Sequence, residues 1–210
     1  MGKLTENIGI LIHRLLIMNR RVNKIASHLT EFIPKNVISI LDVGAGSGEV
    51  AQAICQLRPE LIISGVDVKI REKTFIPITK YDGSRLPFED NTFDLIIAVD
   101  VLHHCVDPVA MFKECVRVSK KWVIIKDHIC ETRLDWILLR LMDWIGNSSH
   151  GVVLPYNYLS SSEWESLFNQ TGLKIIRNRR HLALYPMPFD LIFGSSLHCL
   201  FLLKKEASYE

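Results

Sequence analysis

The segment LDVGAGSGEVA, Leu41 to Ala51, joins an apolar run to a glycine-rich turn and to the start of a helical pattern. Before the turn, the branched residues from Ile38 to Val43 predict a short buried strand. After it, apolar residues recur at helical spacing from Glu49 to Leu57. The segment therefore predicts a strand, a tight turn and a helix.

The turn itself carries Gly44, Gly46 and Gly48, a GxGxG spacing. Without side chains these positions let a ligand lie against the backbone, and free amide groups lie at the start of the helix. The dinucleotide fingerprint GxGxxG needs a glycine at the next step, where this chain has Glu49. The turn predicts a ligand site and disfavours a dinucleotide.

The same alternation of short apolar strands and helices continues along the chain. Strands are predicted at Leu61 to Val66, Phe75 to Thr79, Phe93 to Val99 and Trp122 to Lys126, and helices at Pro108 to Val116, from Arg133 to about Gly146, and from Ser161 or Ser162 to Thr171. This order is typical of a parallel sheet with helices on both faces. The link from Lys69 to Thr74 is too short for a crossover helix. Two last strands, Leu173 to Leu184 and Leu197 to Leu203, are expected to be partly antiparallel.

With 210 residues, the chain is predicted to form a single domain, 1–210. Within it we expect an N-terminal helical extension (1–36), a ligand-binding core (37–130), substrate-side helices and a loop (131–172), and final strands (173–210). The helical extension rests on apolar residues that recur at three- and four-residue steps from Leu4 to Phe32.

Composition limits the partners and the compartment. A net charge of +2 indicates neither a nucleic acid nor an acidic lipid, and the short cluster of Arg177, Arg179 and Arg180 is interpreted as solvated surface. The five cysteines lack a CxxC pair and predict free thiols in the cytoplasm, with no disulfide frame and no metal site. Charged residues interrupt the apolar run Ile8 to Met18, so we expect no stable membrane insertion.

Acidic residues follow the strands after the glycine turn. Asp67 ends the second strand about 20 residues later, where a carboxylate can accept hydrogen bonds from both hydroxyls of a ribose. Asp82 and Gly83 follow the third strand. Because ligands of open α/β sheets bind at the carboxyl ends of the strands, the ordered set predicts one binding edge, although each aspartate alone could be a turn residue.

Several longer motifs occur in a fixed order along the chain. LDVGAGSG, GVDV, YDGSRLPFEDNTFDLIIAVDVLHH and ECVRVSKKWVIIKDH occur in this order between Ile38 and His128, and LPYNYLSSSEWESLFNQTGL follows. In this order the chain resembles the class I S-adenosylmethionine-dependent methyltransferases, in their small-molecule (methyltransferase type 11-like) branch. The resemblance implies a Rossmann-like three-layer α/β sandwich with a mostly parallel seven-stranded sheet, its last strand antiparallel.

The resemblance also implies a set of cofactor residues for S-adenosylmethionine and its product S-adenosylhomocysteine. It places the methionine part of the cofactor beside Asp42, Val99, Asp100 and the turn residues Gly44, Ala45, Gly46 and Gly48. It places the ribose on Asp67 and Val68, and the adenine near Asp82 and Gly83. A carboxylate beside the turn suits a sulfonium and ammonium ligand better than a pyrophosphate. The link after Asp67 is shorter than in the family, so the ribose edge beside Val68 is less covered.

The acceptor is expected to be a small molecule in a largely apolar pocket. DVLHH follows the fourth strand, where a segment that stacks a flipped adenine would have Pro-Pro-aromatic, and a glutamate pair for a guanidinium is missing. Methyl transfer is a direct displacement, so alignment and desolvation supply much of the acceleration. His104 is the first candidate for the proton acceptor, and His128 is the second. The alternative for the two histidines of DVLHH is that they only cap the following helix or pack.

Two other readings stay open from the residues alone. One is a non-catalytic regulatory or scaffolding subunit that binds S-adenosylmethionine. The other is a nicotinamide-dependent oxidoreductase, which the GxGxG spacing and the missing Tyr-x-x-x-Lys pair disfavour. A homodimer is compatible with the sequence. The N-terminal helix and the loop from His150 to Tyr158 are expected to close over the pocket as a lid.

Overall fold

The computed structural model describes residues 19–147, 155–193 and 196–206. The elements are α1 (Asn19–Phe32), β1 (Ser39–Val43), α2 (Glu49–Leu57), β2 (Ile62–Asp67), β3 (Ile78–Lys80), β4 (Phe93–Val99), a 3-10 helix (Leu102–His104), α3 (Pro108–Val118), β5 (Ser119–His128), α4 (Arg133–Asn147), α5 (Ser161–Gln170), β6 (Leu173–Arg179), α6 (Phe189–Phe193) and β7 (His198–Lys205). The predicted unit of strand, turn and helix is present as β1, the glycine turn and α2.

Seven strands form one sheet in the order β3-β2-β1-β4-β5-β7-β6. β1 pairs in parallel with both β2 and β4, whereas β7 runs antiparallel to β5 and β6. The predicted fold class is therefore confirmed. Successive strands are added to one side of β1 and then to the other, so the carboxyl ends of β1 and β4 border the crevice at which such sheets bind ligands.

Helices cover both faces of the sheet. On one face, α3 and α5 bury Phe112, Trp164 and Phe168 against the strands. On the other face, α1 and α2 bury Leu29 and Ile54. Full burial of one such side chain contributes about 1.5–3 kcal/mol, and the two apolar layers hold the sheet rigid beneath its carboxyl edge.

The helix α1 confirms the predicted amphipathic pattern from residue 19 onward. Its buried side chains, Ile25, Ala26, Leu29 and Phe32, recur at three- and four-residue steps and face the sheet. The earlier part of the predicted extension, including Ile8 to Met18, lies outside the described residues. None of the described helices is long and apolar enough to cross a membrane.

The third strand is shorter than predicted. β3 begins at Ile78 instead of Phe75, because the Phe75 N–H donates to the Ser47 carbonyl at 2.8 Å and Pro77 has no N–H to add to a ladder. The segment before the strand is thereby tied to the glycine turn. As expected, the link from residue 69 to 74 contains no helix.

The last third of the chain departs from the prediction in three places. Helix α5 is capped by Ser160, not by Ser161 or Ser162, because Glu163 completes a capping box with it. β6 ends at Arg179 instead of Leu184, and the short helix α6 was not predicted.

The arginine cluster is not only solvated surface. Arg179 donates to the Glu31 carboxylate at 2.8 Å, and the Arg177 and Arg179 guanidinium groups lie 4.4 and 5.4 Å from the centre of the Phe32 ring. The arginines of β6 thus fasten the end of α1 to the sheet.

Candidate functional site

The glycine turn after β1 presents one open surface. Gly44 has a φ of 73°, and a Cβ there would lie 2.2 Å from Val101 Cγ2, so the loop after β4 requires this glycine. A Cβ on Gly48 would likewise lie 2.5 Å from Ile76 Cγ1. Gly46 differs, because a Cβ there would meet nothing within 4 Å. Gly46 is therefore the glycine of the turn whose face is free for a ligand.

Two buried carboxylates lie beside this surface. Asp67 accepts hydrogen bonds from the N–H of Gly46 at 2.8 Å and of Lys69 at 2.9 Å. Asp42, which is 3% exposed, has its pKa raised to about 7, first by burial and second by the charge of Asp67. A cation at this place would relieve the repulsion between the two carboxylates.

Asp82 and Gly83 lie at the next strand end, on the surface. The Asp82 carboxylate accepts hydrogen bonds from the N–H groups of Ser84 and Arg85 and from the Ser84 hydroxyl, and these bonds lower its pKa. A Cβ on Gly83 would lie 3.2 Å from Val68 Cγ1. The alternative considered for Asp82, a turn residue, is thus present in the structure.

Asp100, after β4, is paired within the protein. It has a φ of 52°, and its carboxylate accepts hydrogen bonds from Lys126 of β5 and Arg21 of α1. Burial opposes ionisation, but the two cations hold the pKa of Asp100 well below its usual range. Sequence reasoning did not find Lys126 and Arg21, although a lysine inside the apolar run WVIIKDH is itself a signal.

A cluster of histidines lies beside Asp100, around His103 of the 3-10 helix. His103 Nδ1 is 2.5 Å from Asp127 Oδ1, and His103 Nε2 is 3.5 Å from Asp143 Oδ2 of α4. Although burial opposes protonation, Asp127 and Asp143 raise the pKa of His103 to about 10. The His103 ring is thus held between two carboxylates at the carboxyl ends of β4 and β5.

Part of this chain is similar to a known family, and its fold is similar to that of solved proteins. The family described as "Methyltransferase domain" matches residues 41–125. A solved S-adenosylmethionine-dependent methyltransferase from Aquifex aeolicus superposes with a TM-score of 0.60 at 17% identity, covering 92% of this chain and 93% of the other. Residues 41–125 therefore match a methyltransferase domain, and the chain has the Rossmann-like fold of the S-adenosylmethionine-dependent methyltransferases.

Two further proteins are similar to this chain. The ubiquinone/menaquinone biosynthesis C-methyltransferase UbiE of Cupriavidus necator is 24% identical over 147 residues, which are 59% of this chain and 58% of UbiE. A putative methyltransferase in complex with the Trm112 activator of Haloferax volcanii superposes with a TM-score of 0.67 at 15% identity, covering 90% and 91% of the two chains. The chain thus spans less than two thirds of this UbiE.

Methyltransferases of this fold take S-adenosylmethionine as their cofactor, and the residues of the turn fit that group. The cofactor carries a sulfonium and an ammonium and has no phosphate, so the buried pair of Asp42 and Asp67 suits its charge. The open face of Gly46 provides the surface on which an extended ligand can lie.

The two predicted proton acceptors, His104 and His128, lie at this edge in different environments. His128 is buried, and burial together with the charge of His103 lowers its pKa to about 4, which makes it a weak base. His104 is half-buried, and the same two causes lower its pKa as well. Both rings are therefore neutral at pH 7, and His104 is the more accessible of the two.

Sequence reasoning missed Asp143, and it placed Tyr158 only as the end of the predicted lid. Asp143 of α4 accepts a hydrogen bond from the Tyr158 hydroxyl, and the Tyr158 ring centre lies 5.6 Å from that of His103 and 5.9 Å from that of His128. A buried carboxylate on an otherwise apolar helix, LLRLMDWIG, could have revealed Asp143. The lid residues 150–154 lie outside the described residues.

Proposed function

We propose that this methyltransferase transfers the methyl group of S-adenosylmethionine to a small, largely apolar acceptor bound above the carboxyl edge of the sheet. The observation that carries the proposal is the open face of Gly46 beside the buried pair of Asp42 and Asp67, at the switch point of the sheet.

In this proposal, the methionine part lies along the turn from Asp42 to Gly48 and toward Val99 and Asp100. The ribose lies at Asp67, whose two oxygens each keep a lone pair beyond the backbone bonds described above. The adenine lies at Val68, Asp82 and Gly83. When bound, the cofactor supplies a methyl carbon activated by positive sulfur. The protein aligns that carbon with the acceptor and excludes water.

The acceptor class is supported by apolar side chains exposed on α4, the helix that carries Asp143, and on α6. On α4, Trp136, Ile137, Trp144 and Ile145 are between 41 and 61% exposed, and α6 exposes Phe189, Leu191 and Ile192. A large exposed apolar surface of this kind is typical of a binding region. The relative UbiE is a C-methyltransferase of ubiquinone and menaquinone biosynthesis.

His104 is the proposed proton acceptor when the attacking atom is an oxygen or nitrogen, because it is neutral and the less buried of the two candidates. His128 is placed second by its lowered pKa and burial. We further propose that residues 1–210 form one domain and act in the cytoplasm, in keeping with five free cysteines.

Turnover with labelled cofactor tests the activity. Purified protein is incubated with methyl-labelled S-adenosylmethionine and a panel of apolar phenols, quinols and amines, and labelled product and S-adenosylhomocysteine are measured. We expect acceptor-dependent release of S-adenosylhomocysteine. Tight binding of the cofactor without transfer to any acceptor of the panel would favour the non-catalytic subunit.

A matched pair of glycine substitutions tests the cofactor position. Gly46 and Gly172 both have positive φ, 60° and 66°, and a Cβ on either meets nothing within 4 Å. Gly46→Ala and Gly172→Ala should therefore each cost about 1–2 kcal/mol of stability through backbone strain. Calorimetry should show weaker binding of S-adenosylhomocysteine for Gly46→Ala alone. Equal affinity in the two variants would contradict the placement.

A further inference from the structure

We propose that His103, His104 and Asp143 form a binding site for a divalent transition-metal ion, with Asp127 as the carboxylate that orients His103. The sequence predicted no metal site, since the cysteines lack metal-ligand spacing. The site is assembled only in three dimensions, from the 3-10 helix after β4 and from α4.

The geometry of the donor atoms suits such an ion. One nitrogen from each ring and one carboxylate oxygen all lie within 4.8 Å of one another. Ligand atoms bonded at about 2.1 Å in a tetrahedral arrangement are about 3.4 Å apart. His103 Nε2 and Asp143 Oδ2 are already 3.5 Å apart. Two imidazoles with one carboxylate form a donor set used by Zn²⁺ and Fe²⁺, with further positions left open.

Two buried nitrogens in this cluster point to a ligand independently. Neither His103 Nε2 nor His104 Nδ1 makes a hydrogen bond among the residues that the structure describes, and Asp143 Oδ2 lies at the long ion-pair distance of 3.5 Å from His103 Nε2. The His103 side chain is only 2% exposed. A buried polar atom without a partner costs free energy, so two of them in adjacent rings call for an explanation. A bound cation would satisfy His103 Nε2 directly, and because it would also occupy a nitrogen of His104, that ring accepts a proton only in the metal-free protein.

The surroundings of His103 match those of a metal ligand. Its Nδ1 faces Asp127, and a carboxylate on the far nitrogen fixes the tautomer and orientation of a ligating histidine. Asp127 is itself held by the N–H groups of Leu102 at 3.1 Å and His128 at 2.7 Å. Tyr158 similarly holds Asp143. Both carboxylates are thus positioned before any ion arrives.

Two overlapping groups of side chains are less suitable. In the group of Asp100, His128 and His198, the Lys126 ammonium already binds Asp100 and lies 3.2 Å from His198 Nδ1, so a cation occupies that space. In the group of His103, Asp127 and His128, the Asp127 carboxylate is already held against His103 Nδ1 at 2.5 Å, where it orients that ring. The remaining group is the one assigned.

Titration with Co²⁺ tests the site in the full-length protein. After removal of metal with a chelator, Co²⁺ is added and the visible absorption of the bound ion is followed, with Zn²⁺ binding measured by calorimetry. We expect one ion per chain in wild type. Asp143→Asn and His104→Gln should each weaken the affinity for Co²⁺ by at least about tenfold.

Two other histidines provide the controls. His181 is exposed, so His181→Ala should bind Co²⁺ as wild type does. His198→Gln alters the neighbouring group and should also keep the affinity. Circular dichroism verifies that each variant is folded. If Asp143→Asn does not fold, His104→Gln tests the site instead, because the His104 ring is only half-buried.

Two results would overturn the site. One is wild-type protein without stoichiometric binding of Co²⁺ or Zn²⁺, in which case His103 is an imidazolium held between Asp127 and Asp143. The other is binding that His198→Gln abolishes while Asp143→Asn and His104→Gln leave it intact.

Discussion

The two edges of the sheet both carry aspartates, but the environments of these aspartates differ. At the carboxyl edge, Asp42, Asp67, Asp100 and Asp127 lie at or just after four strand ends, and all are largely buried. At the amino edge, Asp94 of β4 accepts hydrogen bonds from the N–H groups of Ile38 and Ser39 and from Lys120. The carboxylates at the carboxyl edge are thus largely excluded from solvent, whereas Asp94 at the amino edge is partly exposed to it.

The pKa values make the difference concrete. The bonds from Ser39, Lys120 and Ile38 lower the pKa of Asp94, so its charge is stabilised by folding. Burial raises the pKa of Asp42 to about 7, so folding opposes its charge. A carboxylate that folding opposes contributes nothing to stability as an anion. Such a position is therefore better explained by a ligand than by packing.

The largest expected effect is on the buried charges. Asp100→Ala leaves Lys126 and Arg21 without their carboxylate, and removing one partner of a buried ion pair costs about 3–5 kcal/mol. Asp94→Ala removes partly exposed bonds and should cost about 1 kcal/mol. Urea unfolding of both variants measures the contrast. Equal losses would mean that the two edges are not different in kind.

The next effect concerns cofactor affinity. Asp67→Ala should weaken binding of S-adenosylhomocysteine by about 1.5–3 kcal/mol, the usual range for hydrogen bonds to a charged group. Asp94→Ala lies at the opposite edge and should bind the ligand with unchanged affinity. Isothermal titration calorimetry at pH 8 compares the two. The ribose assignment fails if Asp67→Ala binds like wild type.

The pH dependence of binding should follow Asp42. Below pH 7 the proton neutralises Asp42, so affinity for the cationic cofactor should fall by up to about tenfold between pH 8 and pH 6. Stability of the ligand-free protein has the opposite sign. Because the folded state holds this proton more tightly, the Asp42 contribution decreases as pH rises from about 4 to 7. Asp42→Asn should remove both pH dependences, that of cofactor affinity and that of stability. A wild-type affinity that is constant between pH 6 and pH 8 would contradict a role of the Asp42 charge in cofactor binding.

The smallest effect is expected at the amino edge. Lys120 is half exposed and pairs with Asp94 at 2.9 Å. Because exposed pairs are screened by solvent, Lys120→Ala should cost less than about 1 kcal/mol, and less still at high salt. Thermal unfolding at two salt concentrations measures this. A loss of several kcal/mol would show that the amino edge also holds buried charge.

The fold was predictable because its signals are local. The glycine turn, the bounds of α2 and the strand Phe93–Val99 follow from periodicity and from residues within one turn or strand. The end of β6 was not predictable in this way, since Leu182 and Leu184 are apolar yet pack beside α1 instead of extending the strand. Apolar character states that a residue is buried, not which element buries it.

The site was predictable only along single strands. Asp42 and Asp67 lie at the carboxyl ends of their own strands, so their positions could be predicted from the sequence. Asp143 and Arg21 come from helices distant in the chain, and their contacts with His103 and Asp100 exist only after packing. For the same reason, sequence spacing could not distinguish the roles of His103 and His104.

The placement of β7 between β5 and β6 has a consequence for how the protein folds. β5 pairs with β7 through seven residue pairs that are about 70 or more positions apart in sequence, from Trp122 with Lys204 to His128 with His198. Until β7 docks, the central strand β5 is an unpaired edge that can join another chain. Pairing across such a distance is slow. Chaperone binding and aggregation during refolding should therefore centre on β5.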